Sequence, residues 1–311
     1  MAAIIALDIG GTHLRGAAYI ENSNVPIKHQ RIATHPDEGN VYERIVDLVT
    51  SVWPKDSVQA IAAAIPGPID PDTGSIIETP NIKGWANFPL SQKLTDHFHV
   101  PVFLGNDANL AVLGEWYCGA GEGHHDLLYL TISTGIGGGV ISGDKLLLGH
   151  RGLAAELGHV TILPDGPLCS CGQRGHLEAI ASGPGIARFV EEKLVEGRSS
   201  ILKAKTSLSS REIADAAQAG DALAQDAFAY AGEFLGLALA NYLHIFNPSI
   251  VIFGGGVSQS GALLLDPMKE SLKRHVMDPS YLGGLELALA KLGDDAGLLG
   301  AYTYAKLKLA G

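Results

Sequence analysis

The sequence is poor in cysteine, and it has no basic patch, no long apolar run and no charged leader. Only three cysteines occur in 311 residues. So few thiols fit a reducing compartment, where a close pair points to metal or redox chemistry more than to a structural disulfide. Lys and Arg number 22 against 33 acids, a formal net charge of −11. A nucleic-acid binder needs a basic face, and no cluster of cations occurs, so DNA and RNA are not expected partners. No apolar stretch approaches the roughly 20 residues that span a bilayer. The opening MAAIIALDIGG has no basic n-region and meets Asp8 within a few residues, so it reads as neither signal peptide nor anchor. The expectation is a cytoplasmic protein without a membrane partner.

What is present is an ordinary folded composition, 46% hydrophobic and 18% charged. The length allows one large domain or two medium ones. Strand-like and helix-like patterns alternate throughout. IIALDI (4–9) and RGAAYI (15–20) flank a Gly-Gly-Thr turn and read as a hairpin. VYERIVDLVTSVW (41–53) is helical, QAIAAAIPGPI (59–69) a buried strand, PLSQKLTDHF (89–98) helical. VPVFLGND (100–107) is a strand that runs into a helix, ANLAVLGEWY (108–117). Strand, glycine turn and strand recur in DLLYLTISTGIGGGVIS (126–142), and SIVIFGGGVSQSG (249–261) reads as strand, three glycines and helix. Between them lie a loop-rich insert (143–177) and a helix at 221–246 that is apolar on more than one face, hence buried. A helix over 294–310 closes the chain. The pattern predicts α/β architecture in two lobes, with a boundary just after Asp107.

The glycine turns carry the first chemistry. Glycine at a strand end lets backbone N–H groups approach a phosphate. The first turn is Asp8-Ile9-Gly10-Gly11-Thr12, where the acid makes sense if Mg²⁺ stands between it and the phosphates. The second runs from Ser133 and Thr134 through Gly135 to Gly139, and the third is Gly254-Gly255-Gly256, opening a helix. One such turn alone is a backbone that needs positive φ; three at strand ends point to a nucleotide clamp. None fits the Walker or dinucleotide patterns. Asp107, at the end of a strand where α/β folds place chemistry, is a candidate base for phosphoryl transfer to an alcohol. It is equally placed to cap the following helix, and both roles are compatible.

The thiols concentrate in PLCSCGQRGHLE (167–178), where Cys169 and Cys171 stand one residue apart and His176 follows. Residues at i and i+2 are poorly placed to bridge each other. Cys118 reads as a small buried residue at a helix end.

Five segments resemble the ROK family of sugar kinases and related repressors, within the actin-like ATPase superfamily. LDIGGTHLRG (7–16) and LTISTGIGGGVI (130–141) resemble its phosphate motifs, and GNDANLAVLGEW (105–116) its catalytic-Asp segment. The stretch 149–183 resembles the family signature, and IVIFGGGVS (250–258) the adenosine motif. The resemblance implies a two-lobed ribonuclease H-like fold with the active site in the interlobe cleft. Residues 1–107 and a returning C-terminal helix (296–311) would form the small domain, and 108–295 the large one with a zinc-binding insert. It implies Asp107 as the base, and Gly67, Asn81, Asn106, Glu156, His159 and Glu178 at the sugar. It also implies a structural Zn²⁺ on His159, Cys169, Cys171 and His176, with His176 where the family commonly has a third cysteine; histidine is a competent zinc ligand.

The implied activity is ATP-dependent, Mg²⁺-assisted phosphorylation of a hexose at its primary 6-hydroxyl, glucose foremost, by a homo-oligomer (dimer or tetramer). N-acetylhexosamine and fructose kinases are alternatives within the family. A sugar-sensing repressor would need a helix-turn-helix ahead of the first phosphate motif, where this sequence already reads as a strand. A catalytically inert sugar binder is opposed by Asp8, Asp107 and the intact glycine turns.

Overall fold

The computed structural model describes residues 2–310 apart from 35–39, 71–72, 80–81, 83 and 206. The first half contains β1 (Ala3–Ile9), β2 (His13–Ile20), β3 (Lys28–Ala33), α1 (Val41–Val52), β4 (Val58–Ile65), α2 (Leu90–Phe98), β5 (Val102–Asn106) and α3 (Asp107–Cys118). Then come β6 (Leu127–Ile132), β7 (Ile136–Ser142), β8 (Lys145–Leu146), α4 (Leu177–Ala181), α5 (Gly183–Val195), α6 (Ser210–Gln218) and α7 (Ala222–Phe246). The chain ends with β9 (Ile250–Gly254), α8 (Ala262–His275), β10 (Glu286–Leu289) and α9 (Ala296–Ala310). The sheets have the orders β3-β2-β1-β4-β5 and β10-β9-β6-β7-β8. No helix among the described residues is long and apolar enough to cross a membrane.

In the first sheet β1 pairs antiparallel with β2 and parallel with β4. A strand inside such a sheet is covered on both faces, which is why β1 reads as a near-continuous apolar run. Its edge strand β3 is KHQRIA and almost wholly exposed; charge on an edge discourages pairing with another chain. Side chains alternate along β4. Ile61, Ala63 and Ile65 join a cluster with Ile45 and Val49 of α1 and Leu90 and Leu94 of α2. Ala60, Ala62 and Ala64 are equally buried on the other face, where small side chains leave room for α9, which packs against β1, β4 and β5.

The chain divides into two compact units, residues 1–124 with 139–155 and 290–311, and residues 125–138 with 156–289. The boundary expected after Asp107 therefore moves: α3 belongs to the first unit. The reason is its packing on α9. A Cβ on Gly300 would lie 1.7 Å from the carbonyl oxygen of Leu110, and one on Gly114 would lie 2.6 Å from that of Ala296. Only glycine permits such an approach of two helix backbones. Close by, the fully buried Glu115 accepts hydrogen bonds from Ala120 N at 2.7 Å, Leu292 N at 2.9 Å and Lys291 N at 3.2 Å. Backbone donors satisfy this buried carboxylate, and they tie the segment before α9 to the end of α3.

In the second unit the 25-residue α7 is buried on several faces, as expected, and packs against α4, α5, α6 and α8.

Candidate functional site

The β1–β2 turn is held from two directions. Gly10 N donates to His13 O at 2.9 Å, closing the hairpin. The buried Thr34, just after β3, donates through Oγ1 to Gly10 O at 2.6 Å and through its N–H to Thr12 O at 2.9 Å. Thr12 at the tip is exposed. Asp8 sits at the end of β1 with Arg15 Nη1 at 3.4 Å from Oδ2. Arg15 also reaches Asp294 at 3.3 Å. Burial raises the Asp8 carboxyl to about 6, Arg15 opposes that, and Asp294 adds to it. A Cβ on Gly297 would lie 3.0 Å from the Asp8 carboxyl carbon, so the acid lies against the first turn of α9.

The other two glycine turns open on one cleft of about 880 Å³ in the second unit. Ser133 and Thr134 form one rim, Gly256 and Gln259 another, and Arg211, Asp215 and Gln218 of α6 the far wall. The β6–β7 turn is closed by Ser133 N on Gly135 O, and Gly183 N of α5 donates to Ser133 O, both at 2.8 Å. The three glycines of the last turn differ in function. A Cβ on Gly254 would lie 2.2 Å from the Tyr129 hydroxyl, and one on Gly255, at φ +82°, 2.3 Å from Ile132 O. Those two serve the packing of β9 on β6. Gly256 has no neighbour within 4 Å of such an atom and lines the cleft. The helix α8 does not open at this turn as expected. A 3₁₀ turn at Ser258–Ser260 and Gly261, at φ +59°, intervene before Ala262.

The two readings of Asp107 separate in the structure. The cap of α3 is Asn106, whose Oδ1 accepts from Ala108 N at 3.0 Å and Asn109 N at 3.2 Å. Asp107 is the first helical residue and is exposed, with Ala108 N donating to its own Oδ1 at 2.8 Å. A helix N-terminus favours the ionised carboxylate there. Asn106 Nδ2 donates to Gly67 O at 3.3 Å, fixing those two candidates against each other. Asn81 lies outside the described residues. Cys118 is only half-buried.

The insert folds back on itself through isolated bridges, Thr161 with His176 and Leu168 with Arg174. Cys169 N donates to Gln173 O at 2.8 Å and Gly172 N to Cys169 O at 3.0 Å, forming a tight knuckle. This brings together His159, Cys169, Cys171 and His176, whose ligand atoms lie within 4.8 Å of one another. His159 Nδ1 is 3.3 Å from His176 Nδ1 and 3.6 Å from Cys169 Sγ, and Cys171 Sγ is 3.3 Å from His176 Nδ1. A tetrahedral zinc with N and S ligands sets edges of about 3.3–3.8 Å, so the donor set fits that ion. Burial pushes the Cys169 thiol up to about 11. Burial also lowers the pKa of His176, with His159 adding to it and Glu178 opposing, so the imidazole stays neutral, as ligation requires. Glu156 and Glu178 flank the cluster. The Glu156 carboxyl is raised, first by desolvation and then by Glu178, against His159. Glu178 accepts from Ile136 N at 3.0 Å and from Ser170 Oγ at 2.9 Å.

Sequence reasoning missed the α6 wall. Its signal was there: Ser209 and Glu212 form a reciprocal capping box at its start, the S-x-x-E pattern that marks a helix N-terminus.

An α/β chain in which two glycine turns open on one cleft and a carboxylate heads a helix at a strand end is built to handle phosphate. The profile of the ROK family matches residues 4–308, and the chain belongs to that family. A glucokinase of Thermotoga maritima is 38% identical over 313 residues, 99% of this chain and 98% of the relative. The crystal structure of a ROK hexokinase from Thermus thermophilus superposes with a TM-score of 0.83 at 35% identity, over 98% of this chain and 99% of that one. A ROK family glucokinase from Streptomyces griseus, solved with glucose and AMPPNP, gives a TM-score of 0.80 at 34% identity, over 99% and 100%. The fold is that of these kinases, the actin-like ATPase type expected from the motifs.

Proposed function

We propose that this chain is a sugar kinase that transfers the γ-phosphoryl group of ATP to the primary 6-hydroxyl of glucose. The observation that carries the reading is the single cleft onto which the Ser133–Thr134 turn and Gly256 both open. It supports one nucleotide held by two glycine turns. Full-length similarity to glucokinases supports the acceptor. Asp107 is the base: it accepts the 6-hydroxyl proton as that oxygen attacks the γ-phosphorus. Phosphoryl transfer asks little covalent chemistry of the protein, so positioning and charge stabilisation carry the rest. Backbone N–H groups of the turns hold the phosphates. Gly67, Asn81, Asn106, Glu156, His159 and Glu178 hold the sugar, where amides and carboxylates suit vicinal hydroxyls and an unpaired buried group penalises the wrong epimer. His159 turns Nδ1 to the thiol cluster, and Nε2, on the other edge of the ring, serves the sugar.

Asp8 fits a magnesium site of the kind made by one carboxylate and substrate phosphates; bound there, the ion neutralises phosphate charge. Zn²⁺ on His159, Cys169, Cys171 and His176 fits the donor geometry and supplies a structural tie for the insert. A coupled assay with ATP, Mg²⁺ and a panel of glucose, fructose, mannose and N-acetylated hexosamines tests the reading. Glucose should give the highest kcat/KM; a clear preference for an N-acetylhexosamine or fructose would replace the acceptor, and no turnover with any would sink the kinase.

A further inference from the structure

The backbone of Ile136, inside the second phosphate turn, is held by the two ends of the metal loop. Its N–H donates to Glu178 Oε2 at 3.0 Å. Its carbonyl oxygen is closely approached by Gly158, where a Cβ would lie 1.9 Å away. Gly158 immediately precedes the candidate ligand His159, and Glu178 follows the candidate ligand His176 by two residues. The second oxygen of Glu178 faces the knuckle, accepting from Ser170 Oγ at 2.9 Å and Cys169 Sγ at 3.4 Å. One carboxylate thus spans the thiol loop and the phosphate turn. Ile136 is 2% exposed, and a buried N–H without a partner is costly. The turn also has no room to shift toward the carboxylate, since a Cβ on Gly135 would lie 2.5 Å from Glu178 Oε2.

We propose that Glu178 is a positioning residue that couples the metal loop to the phosphate turn, so that the metal governs nucleotide affinity as well as the acceptor side. This rests on the kinase and metal readings above. With the metal bound, Cys169 is a ligand thiolate with no proton to donate, and the knuckle presents the Ser170 hydroxyl to Glu178. Glu178 in turn fixes the Ile136 N–H, and with it the amides of the turn. Oε2, which accepts from Ile136 N, keeps a further lone pair, so the same residue is able to accept from a sugar hydroxyl.

The test uses the full chain as wild type, Glu178→Ala and Ser170→Ala, each as purified and after chelator stripping. Metal content is measured, and calorimetry gives Kd for Mg²⁺ with a non-hydrolysable ATP analogue, in the absence of sugar, and separately for glucose. Stripping the wild type should weaken analogue binding roughly tenfold, the scale of one buried hydrogen bond lost. Glu178→Ala should show the same loss while retaining metal, and stripping it should add little, since both changes act through one contact. Ser170→Ala, which leaves the phosphate turn and all four candidate ligand side chains in place and gives up only the Oγ contacts to Glu178 and, at 3.9 Å, to Cys169 Sγ, should keep the metal and lose part of the affinity; it carries the test if Glu178→Ala does not fold. Stripped wild type with unchanged analogue affinity, or effects of stripping and substitution that add in full, would overturn the coupling alone. A wild type with no metal as purified and full activity would overturn the metal reading together with it.

Discussion

Asn106 and Asp107 divide two tasks between neighbours. Asn106 takes the capping hydrogen bonds of α3 from Ala108 N and Asn109 N, and Asp107 follows as the first helical residue. Asp107→Asn should lower kcat by about 10²–10⁴-fold with glucose affinity largely kept, because an amide preserves shape but takes no proton. Single-turnover kinetics checks this, and near wild-type kcat would remove Asp107 as the base. Asp8 sets a pH dependence. Its pKa is raised to about 6, chiefly by burial, so the protonated form is favoured in the folded protein. For stability the sign is therefore the reverse of a salt-bridged acid: the Asp8 contribution is full below the unfolded pKa near 3.8 and is lost as pH rises through about 6. For catalysis the anion is the competent form, so kcat/KM should fall as pH drops through about 6. Raising Mg²⁺ should move that acid limb to lower pH, and Asp8→Asn should abolish the movement. A limb that ignores Mg²⁺ would separate Asp8 from the metal.

At the level of elements, legibility followed locality. The first hairpin, the strand-turn-strand repeat and α7 were readable because their apolar periods lie within short windows. The clustering of Cys169, Cys171 and His176 was readable because the three are close in sequence. The edge strand β3 was not, since KHQRIA has no apolar face to show, and the link from Glu178 to Ile136 joins residues far apart in sequence. The loop has little core of its own, and it is held by short bridges around the His159, Cys169, Cys171 and His176 cluster. Purified, chelator-washed protein should hold about one Zn²⁺ per chain, the stoichiometry of a closed four-ligand site. His176→Cys should keep the metal, and Cys171→Ser should weaken its affinity by at least roughly 10–100-fold. Acid should release it as protons compete with the ion for the ligand atoms. Elemental analysis across a pH series is the measurement, and retention by Cys171→Ser would break the ligand set.

At the scale of the molecule, neither unit is one continuous piece of chain. The first is assembled from residues 1–124, 139–155 and 290–311, and its last piece brings α9 back onto the first sheet. The boundary was illegible because it depends on Gly114 of α3 meeting α9, nearly two hundred residues later, at a distance only glycine allows. The helix α9 buries Leu298, Leu299, Tyr302 and Ala305. Tyr302 packs on Tyr19 with ring centroids 4.9 Å apart, and its hydroxyl donates to Ile20 O at 3.2 Å. Burying a large apolar side chain contributes about 1.5–3 kcal/mol, so three such residues rival the roughly 5–15 kcal/mol that holds a whole domain folded. Removing residues 296–311 should therefore unfold the first unit and abolish kinase activity. The milder Gly300→Val, which forces α3 and α9 apart, should cost at least about 1–3 kcal/mol through overpacking. Chemical denaturation followed by circular dichroism reads both. A truncated chain with native helicity and an unchanged midpoint would mean that the sheet and α3 stand without α9, and that their burial against it contributes nothing to the fold.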